Sequence, residues 1–203
     1  MFPPRVLEKD TELKFTNIQI LHRMDKNMKT IIGEWNKFNP LFKQKKIPAK
    51  AILLREGQIS RTAYYIEKGC VRNWFNNQGK DITFQFFFEG SGVSSFESFN
   101  TGLPSLFNIE TIEPCTVKYI SKKDFQFILE KSPVIKSEVD KQIIKRLIFY
   151  QHLFLSRIKN NPQERYEELL QQQPEILQRI PQHYIASYLG ITPVSLSRIR
   201  NRR

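Results

Sequence analysis

The chain has 203 residues, enough for one large domain or two small ones with a core of useful size. Its apolar content of 40% is ordinary for a globular protein and excludes wholesale disorder. The net charge of +12 is uneven, with 11 Lys and Arg against 5 acids in residues 1–50, 13 against 11 in 51–156 and 8 against 4 in 157–203, so the basic ends point to a polyanion.

Met1–Thr11 lacks the apolar core of a secretory signal. No run of ~18 apolar residues follows anywhere in the chain, so no membrane span and a cytoplasmic location are expected. From about Phe15 to Phe42, Ile18, Leu21, Met24, Met28, Ile31, Ile32 and Trp35 recur at three- and four-residue steps, which marks one face of a helix. Pro40 ends it.

From about Gln44 to Ser121 the chain reads as short strands. They are Ala51–Leu54, Ala63–Glu67, Cys70–Phe75, Asp81–Phe88, Phe107–Ile112 and Cys115–Ile120, punctuated by Gly57, Gly69 and Gly79. Asn77 to Lys80 forms a tight hairpin loop with Gly79 at a positive φ. Strands at this spacing imply a sandwich or barrel. Cys70 and Cys115 are too few for a disulfide scaffold, a four-cysteine zinc site or a four-thiolate cluster. They read as buried, inert thiols.

The remainder is helical. Ser121 caps a helix with Asp124 three residues on. Pro133 takes the first position of the next. Val139, Ile143, Leu147, Tyr150, Phe154 and Ile158 then form an apolar stripe resembling a heptad seam. A helix of ~25 residues is about 37 Å long, more than a small barrel can cover, which favours a two-helix dimer seam over packing within one chain. Asn161-Pro162 breaks it, and Pro174 and Pro181 punctuate shorter helices.

Residues 182–200 carry the firmest signal. Ile185, Ala186 and Leu189 face inward, Gly190 ends the helix, Thr192 caps a second helix and Pro193 opens it. Leu196 and Ile199 pack inward. Thr192, Val194, Ser195, Ser197, Arg198, Arg200 and Arg202 are then the candidate DNA contacts of a helix-turn-helix. Arginine makes paired hydrogen bonds to a guanine edge, serine and threonine reach bases or phosphates, and Arg202 suits the backbone. A solvated basic tail after a helical hairpin is the bland alternative.

In this order the elements resemble the catabolite-activator and fumarate–nitrate-regulator family of bacterial transcription factors. Tyr64 to Arg72 is similar to the family's second barrel segment. Ile185 to Thr192, followed by Ser195 to Ile199, is similar to its DNA-binding motif. The resemblance implies an α+β fold with a jelly-roll sensor barrel and amino-terminal helix (1–131), a dimerisation helix (132–160) and a helix-turn-helix domain (161–203) whose wing is truncated or absent. It implies a homodimer on two-fold double-stranded DNA sites, with Arg198 at the position of the principal base-contacting arginine. RNA polymerase and an unidentified small-molecule effector complete the expected partners.

The departures are specific. Ser94 and Ser95 stand where the family's cyclic-nucleotide binders carry Gly-Glu, and Ser105 lies near the place of their arginine. No Lys or Arg occurs between Asp81 and Val117, so no local cation is expected to meet a cyclic phosphate. Phe84 and Phe86 on one strand face, with Ser94, Ser95, Glu97 and Ser98, either outline a pocket for an apolar effector or are core and loop-capping groups. A metal-dependent barrel enzyme would need several histidines on strands. His22, His152 and His183 lie outside the barrel, so no enzyme, metal or cofactor is expected. A small-molecule or cyclic-nucleotide-binding regulatory module acting through protein partners, without DNA, is the alternative.

Overall fold

A computed structural model gives the fold, and it describes residues 29–201. Residues 15–28 of the expected first helix, and Arg202, lie outside the described residues. Helix α1 is helical from 29 to 36, and Pro40 falls in a 3-10 turn, Asn39–Leu41.

Eight strands follow: β1 Lys43–Ile47, β2 Ile52–Leu54, β3 Thr62–Lys68, β4 Val71–Asn77, β5 Lys80–Phe87, β6 Gly92–Val93, β7 Asn108–Thr111 and β8 Cys115–Ser121. They form two four-stranded sheets, β1-β8-β3-β6 and β2-β7-β4-β5, with antiparallel neighbours. Six of the strands lie where β-branched and aromatic runs predict them. The other two were invisible to that pattern. β1 reads Lys-Gln-Lys-Lys-Ile, which is a poor strand sequence, yet it pairs with β8 over five positions. Its lysines line an edge of the sheet, where charge discourages pairing with other chains. β6 is two residues long and shows no alternation.

The hairpin β4–β5 turns through Gln78 (φ 52) and Gly79 (φ 83), the pair of positive values that matches strand twist. Ile66, Val71, Phe87, Val93, Ile109 and Val117 are buried between the sheets. Each contributes roughly 1.5–3 kcal/mol by leaving water.

Helix α2, Phe96–Thr101, bridges β6 and β7. Helix α3, Lys122–Lys131, starts at Ser121, whose Oγ accepts from the Asp124 amide at 3.1 Å. Helix α4, Pro133–Lys159, has 27 residues and is capped by Ser132. At 1.5 Å per residue it is about 40 Å long. Trp35, Phe38, Leu41 and Phe42 wedge against Ile120, Ile128 and Ile135, tying α1 to this junction.

Four short helices end the chain: α5 Pro162–Gln172, α6 Pro174–Arg179, α7 Gln182–Leu189 and α8 Pro193–Asn201. Asn161 and Glu164 form a reciprocal capping box at α5. The result is α+β: a jelly-roll barrel, a long helix and a helical carboxy-terminal unit. Among the described residues no helix is long and apolar enough to cross a membrane.

Candidate nucleic-acid interface

Helix α7 buries Ile185, Ala186, Tyr188 and Leu189. Gly190 follows at φ +70, and the Ile191 amide donates back to the Ala186 carbonyl at 2.9 Å. A residue without a Cβ adopts this left-handed turn at little cost, and the backward bond satisfies a carbonyl the helix end leaves open. Thr192 Oγ1 accepts from the Ser195 amide at 3.1 Å and lies 3.0 Å from the Ser195 hydroxyl, so both hydroxyls serve the cap of α8.

Leu196 is fully buried against α7, and Ile199 packs beside it. Helical geometry then turns Val194, Ser197, Arg198 and Arg200 outward, with Val194 60% exposed. Among the described residues neither Arg198 nor Arg200 joins an ion pair. The exposed face of α8 is thus cationic, with a helix N-terminus at its start, which favours anions.

The long helix divides its apolar residues between two faces. Ile144 (56% exposed), Leu147 (66%), Phe154 (65%) and Ile158 (65%) form an exposed row with Gln151 among them. Their steps of three and four are those of a heptad seam. Two residues expected in that seam turn the other way. Val139 packs with the α1–α3–α4 cluster, and the Tyr150 hydroxyl donates to Gln85 on β5. On the same face Arg146 donates to the Gly92 carbonyl at 3.2 Å and lies over the Phe87 ring. Ile143 sits at the edge of the exposed row, 37% exposed.

The candidate pocket residues stand in several different settings. A bulge between Asn73 and Trp74 of β4 leaves Phe84 as the extra residue on β5 and shifts the faces beyond it. Phe84 meets Phe107 edge-on at 5.1 Å, within the barrel. Phe86 instead stacks at 5.3 Å on Tyr188 of α7. Glu97 is exposed on α2, while Ser94 is half-buried. Ser95 and Ser98 are buried as loop braces. The Ser105 hydroxyl lies 2.9 Å from Ser95 Oγ and 2.8 Å from the Phe107 carbonyl oxygen, and Ser98 Oγ accepts from the Ser60 amide at 2.9 Å.

Arginines from outside 81–117 also stand against this part of the barrel. Arg61, from the loop before β3, lines a cavity of about 170 Å³ with Leu54, Gln58, Ser60, Tyr64 and Ile109. Arg146 arrives from α4. Both come from segments remote in sequence from 81–117.

Residues 44–132 match the family model of the cyclic nucleotide-binding domain. The cAMP-activated global transcriptional regulator CRP of Salmonella typhimurium is 27% identical over 103 residues, 50% of this chain and 49% of that protein. The barrel is thus similar to the cyclic nucleotide-binding domain, and half of the chain is similar to CRP regulators. The chain spans about half the length of the curated relatives it matches, such as the CRP proteins of Salmonella typhimurium and Pasteurella multocida. Its fold is shared with CLP of Xanthomonas campestris, a c-di-GMP responsive global regulator, at a TM-score of 0.70 and 19% identity over 84% of this chain and 90% of that one. CooA of Carboxydothermus hydrogenoformans gives 0.66 and 19% over 80% and 76%. At these identities the likeness is one of fold.

Proposed function

We propose that this chain is a Crp/Fnr-type regulator: cytoplasmic, dimeric, DNA-binding and working without cyclic AMP. The observation that carries the reading is the exposed cationic face of α8, held on a capped two-helix support. Arg198 is the base reader, donating a pair of hydrogen bonds to a guanine edge in the major groove. Arg200, Ser197 and the α8 amino terminus meet phosphates and sugars and set the register. The exposed row on α4 pairs with the same row of a second copy, which places two reading heads on a two-fold site.

The barrel does not fit a cyclic nucleotide. The hydroxyls that remain in place of the ribose and phosphate ligands already brace the α2 loop. The cavity beside them is smaller than the ~300 Å³ at which small-molecule pockets usually begin. The interior beside α4 is closed by Phe87, Gln85 and Tyr150.

Binding to random-sequence duplex DNA at two salt concentrations tests the reading. A protein with 6–10 phosphate contacts loses about 10³–10⁵ in affinity between roughly 50 and 200 mM salt. Arg198→Ala should weaken binding to a selected site by about 1–3 kcal/mol while leaving the salt slope nearly unchanged. Absence of binding at low salt would refute DNA reading. A dose-dependent rise in melting temperature with cyclic AMP would refute the reading of the barrel.

A further inference from the structure

Helix α7 has two working faces. Ile185, Ala186 and Leu189 hold α8. Tyr184, Ser187 and Tyr188, spaced as a second helical face, meet the barrel. Their target is β5, an edge strand whose outer backbone groups no strand covers.

Ser187 covers them. Its Oγ accepts from the Thr83 amide at 2.9 Å and donates to the Asp81 carbonyl at 2.7 Å. One side chain thus makes the two bonds that a neighbouring strand would make there. Beside it stands Arg72, 2% exposed. Its guanidinium lies 2.6 Å from Glu110 of β7, 3.1 Å from Thr83 Oγ1 and 3.3 Å from Asp81 of β5. Those partners fix its plane. Trp74 lies at 4.7 Å from it, and Tyr184 of α7 lies on it at 4.0 Å. Further out, Arg179 of α6 reaches Glu89 at 2.8 and 2.9 Å and also bonds Glu113.

We propose that Arg72, Tyr184 and Ser187 are positioning residues for DNA reading. They clamp α7 to the β5 edge, so α8 is held at one angle to the barrel. Through α4 it is then held at one separation from the α8 of a second copy. Asn160 is extended between α4 and α5, where Glu168 and the Tyr188 carbonyl bond to α4, so the clamp adds to these ties in fixing the angle of the α5–α8 unit. The inference rests on the DNA-reading proposal, because it concerns where the reading heads stand.

The clamp predicts a dependence on half-site spacing. A duplex sequence selected from a random pool is placed once, or twice at separations varied in single base pairs around one helical turn of about 10. The wild type should bind the double site with a sharp optimum. Tyr184→Leu/Ser187→Ala should keep its affinity for the single copy and lose on the order of tenfold of the preference between best and worst spacing. Ser187→Thr, which keeps a hydroxyl, should restore it in a Tyr184 background. Hydrogen exchange reads the clamp without DNA. The Thr83 amide should be protected in the wild type and in Ser187→Thr and exchange fast in Ser187→Ala. An unprotected Thr83 amide in the wild type, or an unchanged spacing preference in the double variant, overturns the inference while leaving DNA reading intact. Failure of the wild type to bind any duplex overturns the DNA reading and the positioning role together, whatever the Thr83 amide shows.

Discussion

Arg72→Met should be among the most damaging single substitutions in the barrel. The native guanidinium pairs with Glu110, whose side chain is only 10% exposed. Methionine fills much of the same volume but leaves that carboxylate buried without its cation. Breaking a buried ion pair from one side costs about 3–5 kcal/mol, two to nearly four decades in the folding equilibrium. Loss of the ring contacts with Trp74 and Tyr184 adds about 0.5–2 kcal/mol. Glu110→Leu should cost less, because Asp81 at 3.3 Å still pairs with Arg72. Removing both, as Arg72→Met/Glu110→Leu, eliminates both desolvated charges and should bring the loss back to within about 1–2 kcal/mol of wild type. Urea unfolding read by Trp74 fluorescence, in a Trp35→Phe background, gives all four corners of the cycle. Additive single losses, with a coupling below about 1 kcal/mol, would show that Arg72 supports the barrel by packing and not by charge.

Three further outcomes are expected. Leu147→Glu places a charge in the exposed α4 row and should shift sedimentation to the monomer, and an unchanged dimer would place the seam elsewhere. Gly190→Ala combines a φ of +70 with a Cβ only 2.8 Å from the Arg157 guanidinium. It should cost about 1–2 kcal/mol in the carboxy-terminal helices, and an unchanged melting transition there would mean that the turn relaxes. Glu89 is held at about 2, from an ordinary 4.5, chiefly by the Arg179 hydrogen bond and despite partial burial. A value lowered by folding contributes stability above pH 4.5 that is lost as pH falls toward 2. Loosening of α6 from the barrel in that window, seen by hydrogen exchange, should lose its pH dependence in Glu89→Gln.

Much of this architecture was legible because its signals are local. Glycine-bounded β-branched runs marked six strands, and Ser121, Ser132, Asn161, Gly190 and Thr192 marked helix ends through short-range bonds. The two faces of α4 were not legible. Large apolar residues stand in adjacent positions, Ile143 with Ile144 and Leu147 with Ile148, so one stripe drawn through them mixed the barrel-facing residues with the exposed row. The bulge at Phe84 reversed a face that strict alternation would have kept. The seat of α7 on β5 was hidden for another reason. Thr83 and Ser187 are 104 residues apart, and a serine on a helix shows no sign of serving a strand.

That seat also ties the two parts of the chain together as folding partners. A barrel cut off after α4 would expose Phe86 and the bare amide and carbonyl row of β5 at once. An open edge beside an apolar strip is a template for strand addition by other chains. The α5–α8 unit is therefore also a cover, and an isolated barrel should be prone to aggregate through β5 even where its own core is intact.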